Sequence, residues 1–175
     1  MHRSFRACIA AVSLLAATHG SAIAPSPADH GKAPEFPANA KWLNTGPLTI
    51  SALRGKVVLV DFWTYTCINC INTLPHVRQW YDKYRDKGLM VVGVHTPEYP
   101  FEKSTSNVQA ALKRLDIRYP VVQDNTYVIW DAYRNQYWPA LYLVDASGKI
   151  AYQHFGEGHY EETEAAIQKL LSDRR

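Results

Sequence analysis

Apolar positions along the chain follow two rhythms. Lys56 to Tyr65, KVVLVDFWTY, is a nearly unbroken apolar, β-branched and aromatic run, and Leu89 to Thr96, LMVVGVHT, is another. Such runs predict strands buried on both faces, as in the centre of a parallel sheet. Between them, Leu74, Val77, Trp80, Tyr81 and Tyr84 recur at helical spacing, which predicts a helix over Ile71 to Gly88. Gly88 serves as its C-terminal stop and Pro75 as an interior kink. Ser106 to Ile117 predicts a second amphipathic helix, with Ser106 as its cap. YPVVQD predicts a short strand, TYVIWDAYR a short helix, and Pro139 to Gly156 a hairpin turning at ASGK. YEETEAAIQKLL predicts a closing helix whose acidic first turn suits the helix dipole. A short strand at PLTISAL precedes all of these. From Lys56 onward the order β-α-β-α-β-α-β-β-α implies a mostly parallel sheet with helices on both faces, to which the final hairpin adds antiparallel strands.

The N-terminus breaks this rhythm. Arg3 and Arg6 precede an apolar run from Ala7 to Ala17, followed by the small-residue stretch THGSAIA. That is the pattern of a secretory signal peptide over residues 1–24, cleaved after Ala22 or Ala24. The run is shorter than the roughly 20 residues a membrane span needs, so no stable membrane insertion is expected after cleavage. Residues 25–40, rich in proline, predict an extended arm, and 41–175 a single domain. With 47% apolar and 20% charged residues the chain has a globular rather than a disordered composition. The net charge is +3; loss of Arg3 and Arg6 leaves 17 basic against 16 acidic residues, or +1. A nearly neutral domain offers no electrostatic case for nucleic acid or anionic lipid.

Export also removes Cys8, which leaves Cys67 and Cys70 in VDFWTYTCINCINTLP. A structural zinc site needs four ligands, and the seven histidines are scattered. Only His154 and His159 come near a metal-binding spacing, so no metal or other cofactor is expected. Copper(I) capture by the two thiols stays open. A disulfide across two intervening residues closes almost no loop and makes a poor staple. Redox chemistry fits best. The pair stands where a buried strand gives way to a helix, so Cys67 lies at the helix N-terminus, where free amides and the dipole stabilise a thiolate. Cys70 follows one turn along the same face, placed to resolve a mixed disulfide.

At VDFW ahead of the pair, and at FWTYTCINC…TLP, GVHTPE and NQYWPA, the chain resembles the thioredoxin superfamily, in particular its TlpA-like branch and DipZ-like group. The resemblance spans roughly residues 47–171. It implies an α/β thioredoxin-like fold: a central mixed β-sheet flanked by helices on both faces. The TlpA/peroxiredoxin-type helix–strand insertion would lie between Glu98 and Asp124. It also implies a soluble periplasmic domain without the membrane domain that some DipZ proteins carry. In the roles it implies, Cys67 is the nucleophile and Cys70 the resolving thiol of a redox-active disulfide. Asp61 is a buried acid that handles the Cys70 proton. The substrate-binding set is Trp63, packed near the disulfide, Trp138, and Pro139, a cis-proline beside the site. Tyr65 and Thr66 are expected at the rim, with His95 and Glu98 near it. The implied partners are cysteine-containing client proteins and a membrane thiol donor of the DsbD/CcdA kind. A thiol peroxidase is the competing enzyme class, although the peroxiredoxin P-x-x-x-[TS]-x-x-C loop is absent. Ile68-Asn69 puts no cation beside Cys67, which argues for a fairly reducing couple.

Overall fold

The structure, a computed structural model, describes residues 31–174; the signal-peptide expectation lies outside them. Six strands form one sheet in the order β1-β4-β3-β2-β5-β6. The two unbroken apolar runs become its centre, β2 (Val57–Trp63) and β3 (Leu89–His95), paired in parallel with Val57 opposite Leu89 and Trp63 opposite His95. β5 (Ala140–Val144) runs antiparallel to β2, and β6 (Ile150–Phe155) antiparallel to β5, as the hairpin reading requires. The segment after β3 lays down α2 (Thr105–Arg114) and β4 (Val121–Gln123), which pairs in parallel with β3. α1 (Ile68–Tyr84), α3 (Val128–Ala132) and α4 (Tyr160–Asp173) complete the fold.

The period of two along β2 divides the core. Val57, Leu59 and Trp63 face a cluster built with α1, α2 and α4, through Leu74, Val77, Trp80, Val108 and Ile167. Val58, Val60 and Phe62 face the other way, onto Ile129 and Trp130 of α3. Asp61 falls in the first set by parity, on the α1 side of the sheet, and it is 1% exposed.

Four details differ from the sequence reading. PLTISAL is not a strand: Ser51–Leu53 forms a single 3-10 turn that buries Leu53. The first strand is instead β1 (Lys41–Leu43), antiparallel to β4. Three residues carry too little pattern to announce a strand, and only the partner β4 makes one. α1 starts at Ile68 and ends at Tyr84, and a 3-10 turn over Arg85–Lys87 carries it to Gly88, whose φ of 100° is the left-handed stop. Ser104 caps α2 by accepting from the Asn107 amide, while Ser106 lies inside the helix with its hydroxyl against that of Ser104. In the proline-rich arm, Ala33 and Phe36 are buried in the α3-side core and Lys32 bridges Lys149. Phe36 meets Trp42 edge-on at 5.4 Å; one such anchor, worth about 1.5–3 kcal/mol, holds the extended segment down.

Gly93 of β3 lies opposite Asp61, and a Cβ there would stand 2.9 Å from Trp63 Nε1 and 3.1 Å from both Tyr119 and Val121. Gly93→Ala is therefore an overpacking mutation, expected to cost about 1–3 kcal/mol in urea unfolding. An unchanged unfolding midpoint would show that Trp63 and Tyr119 move aside freely.

Candidate active site

β2 ends at Trp63 and the chain turns through Thr64–Thr66 into α1. Cys67 is the N-cap, with extended φ/ψ of −72° and 114°, and its Sγ accepts from the Cys70 amide at 3.3 Å. A sulfur thus stands where serine or aspartate usually caps a helix, at the positive end of the dipole. Cys67 is half-buried, Cys70 is buried, and no disulfide joins them.

The two thiols are driven apart chemically. A hydrogen bond from the Cys70 side chain, helped by the Cys70 and Asn69 amides, brings Cys67 down to about 7 against the upward pull of burial. The nearby Glu98 charge opposes the change. Burial pushes Cys70 far up, and so does donating its proton toward Cys67. One thiol is half-ionised and accessible near neutral pH while the other stays protonated beneath it. This is the division of labour disulfide exchange needs.

Asp61 lies below the pair. Burial raises its carboxyl to about 7, the Tyr119 hydroxyl 3.5 Å away pulls it partly back, and the Cys67 charge adds to the rise. Its field is felt at Cys70 in turn. A carboxyl that titrates near neutrality can take and return a proton there, as a deeply stabilised carboxylate cannot. Trp63, read from the sequence as part of the substrate-binding set, is 0% exposed. It touches no surface a client could reach, and instead walls the space beside Cys70 and meets His95 edge-on at 5.3 Å. Trp138 is half-buried, donates its indole N–H to Thr96 O at 3.0 Å and lies on Trp130 at 4.1 Å. The Trp138–Pro139 peptide is cis, and Pro139 O accepts from the Gly156 amide at 2.8 Å.

His95 closes β3 inside the molecule, stacked on Tyr65 at 5.5 Å, with burial bringing it down to about 4. It is a neutral packing partner of the active-site turn. Glu98 is exposed and reaches Cys67 only through its charge. The residue that sequence reasoning missed is Glu102. Its side chain is wholly buried, and its carboxylate accepts from Thr66 Oγ1 at 2.6 Å and from the Glu98 and Tyr99 amides at 2.6 and 3.0 Å. The available signal was a glutamate three residues after the start of a proline-led turn, YPFE, a capping-box spacing with tyrosine in place of the usual serine or threonine. Among the described residues, no cluster of three or more His, Cys, Asp or Glu side chains is placed to hold a metal.

Two measurements follow from these shifts. Thiolate absorbance of the reduced protein should show Cys67 titrating near 7. In Cys70→Ala the midpoint should rise toward the ordinary thiol range, because the largest stabilising bond is gone; an unmoved midpoint would leave the dipole as the main cause. Asp61 binds its proton more tightly when folded than unfolded, rising from 3.8 to about 7. Between these values the native state holds more protons, so stability falls as pH rises. Asp61→Asn should therefore stabilise the reduced protein at pH 8 by on the order of 4 kcal/mol, with the gain vanishing near pH 4. Urea unfolding at pH 4, 6 and 8 checks this, and a pH-independent difference would contradict it.

The AhpC/TSA family model matches residues 30–153. The chain is 51% identical over 148 residues to Protein DipZ of Mycobacterium tuberculosis, a match covering 83% of this chain and 21% of that protein. It thus spans about a fifth of the length of the DipZ relatives it matches. It is 30% identical over 141 residues to the thiol-disulfide oxidoreductase YkuV of Bacillus subtilis, covering 80% of this chain and 94% of that one. A crystal structure of a Chlorobium tepidum protein, described as a thiol:disulfide interchange protein DsbE, superposes with a TM-score of 0.72 at 29% identity, over 83% of this chain and 99% of the other. The chain belongs to the AhpC/TSA family, among the TlpA- and DipZ-like thiol-disulfide oxidoreductases of the thioredoxin superfamily.

Proposed function

We propose that this chain is an exported, periplasmic reductase of client-protein disulfides working through the Cys67–Cys70 couple. The observation that carries the reading is the asymmetry of the pair, an accessible thiol at about 7 over a buried, protonated one, above a carboxyl also at about 7. In the forward reaction the Cys67 thiolate attacks one sulfur of a client disulfide. The client S–S bond breaks, a Cys67–client disulfide forms, and the other client sulfur leaves as a thiolate and takes a proton from solvent. Cys70 then gives its proton to Asp61 and attacks Cys67 Sγ. That closes the Cys67–Cys70 disulfide and expels the second client thiolate, which is protonated in turn. Two electrons pass from the pair to the client. Asp61 returns its proton to solvent, and a membrane thiol donor of the DsbD/CcdA kind supplies the next two electrons.

The direction follows from modest thiolate stabilisation. Strong oxidants hold their nucleophile as a deeply stabilised thiolate, whereas Cys67 comes down only to about 7 and Glu98 works against even that. A thiol with its pKa near ambient pH is also the best attacking group. The export part of the reading rests on the signal-like pattern of residues 1–24, and residues 41–175 form the catalytic domain.

Titration in glutathione buffers should give a two-electron couple below about −220 mV. A value near −120 mV would make the protein a disulfide donor, and the absence of a two-electron transition would favour copper(I) binding or peroxide consumption. Cys70→Ser should accumulate the mixed disulfide with reduced turnover of insulin disulfides; full activity in that variant would end the two-thiol mechanism.

A further inference from the structure

Between β3 and α2 the chain forms a short lobe, Pro97–Ser104, around one 3-10 turn over Pro100–Lys103. Several of its backbone polar groups are bound inward. The Tyr127 hydroxyl donates to Pro97 O. The Glu98 and Tyr99 amides donate to buried Glu102. Phe101 O accepts from Tyr65 Oη at 3.3 Å and Asn107 Nδ2 at 3.1 Å, and Lys103 O accepts from Asn125 Nδ2 at 2.9 Å. The rings on this fixed backbone point the other way. Tyr99 is 49% and Phe101 55% exposed, and they stack in parallel with centroids 5.6 Å apart.

The lobe is joined to the nucleophile itself. Glu102 accepts from Thr66, the residue before Cys67, and Tyr65, two before, bonds Phe101 O and faces its ring at 6.5 Å. On the other side Ile68, the residue after Cys67, is 64% exposed. A client captured by Cys67 must sit here. A mixed disulfide brings the two Cα atoms to about 5.5–6 Å, and a standard protein footprint of about 800 Å² extends roughly 16 Å around that point. The lobe, bonded to the two residues that precede Cys67, borders that point. Rigid aromatic rings on a backbone already ordered are the cheap form of apolar recognition, since little entropy remains to be lost on binding.

The geometry points to Tyr99 and Phe101 as a recognition element for client proteins, one that selects disulfides whose cysteine is flanked by aromatic or aliphatic residues, with Glu102 as the positioning residue that holds it against the Cys67 turn. This rests on the disulfide-exchange reading above and names the class of disulfide the site prefers.

The test uses the reduced chain and two symmetric disulfide-linked peptides, one with phenylalanine and leucine beside its cysteine, the other with serine at both places. Single-turnover reduction should favour the apolar peptide about tenfold, the scale of a modest apolar contact in a recognition site. In the Tyr99→Ser/Phe101→Ser double variant, whose changes are at the surface, the ratio should fall to near one. Glu102→Ala should lower the same ratio although both rings remain, and thermal unfolding of that variant confirms that it is folded. A ratio near one in the unmodified chain, or an unchanged ratio in the double variant, overturns the recognition element while leaving disulfide exchange standing. Failure of the unmodified chain to reduce either peptide removes the exchange reading and this inference together.

Discussion

A carboxyl group set into an apolar sheet is the constraint on which the rest of the active site turns. Asp61 has Leu59 and Trp63 beside it on the same face of β2, and its hydroxyl neighbour, Tyr119, stands at 3.5 Å. The cost of charging it there is large, so its neutral form persists toward neutral pH. The fold makes room for this: Gly93 opposite has no side chain, and Trp63 and Tyr119 fill the space. A better-solvated aspartate would stabilise the domain and would lose the titration near neutrality on which the proposed proton exchange with Cys70 depends. Stability and chemistry are set against each other at one residue, as is common where function lives.

Glu102 is the opposite solution to the same problem. It too is removed from solvent, but hydroxyl and amide donors converge on it, and it titrates below the usual carboxylate range despite burial. It stays charged and holds two loops together; Asp61, poorly supplied with donors, is free to exchange its proton. Burial is common to both, and the number of hydrogen-bond donors decides which acid stays charged and which titrates near neutrality.

The cysteine pair shows how secondary structure sets reactivity. Cys67 is accessible because it caps α1 instead of continuing it, and Cys70 is buried because one helical turn carries it onto the helix face that, with Leu74, packs into the core beside Trp63. A spacing of three residues across a strand-to-helix turn thus yields one accessible thiol brought down to about 7 and one buried thiol that stays protonated.

Much of this was legible in the amino-acid order. The unbroken runs of β2 and β3, the helical spacing of α1 and the hairpin of β5 and β6 are strong local patterns that the sheet then confirms, since each segment's apolar period matches the layer it enters. The position of Cys67 at a helix start also follows from spacing, whereas the buried place of Asp61 was implied only by the family resemblance. What the order of residues left open was set by contacts distant in sequence. β1 exists only because β4 is there to pair with it, Phe36 is core only because α3 leaves it a site, and Trp63 is wall rather than rim because His95 and α1 cover it. The state of each acid was decided the same way. The Glu98 and Tyr99 amides that hold Glu102 are local, but Thr66, 36 residues back, and the Tyr119 hydroxyl beside Asp61, 58 residues along, are brought by the fold. Local pattern fixes which face a residue takes; its chemistry depends on the donors and walls that the rest of the chain brings to that face.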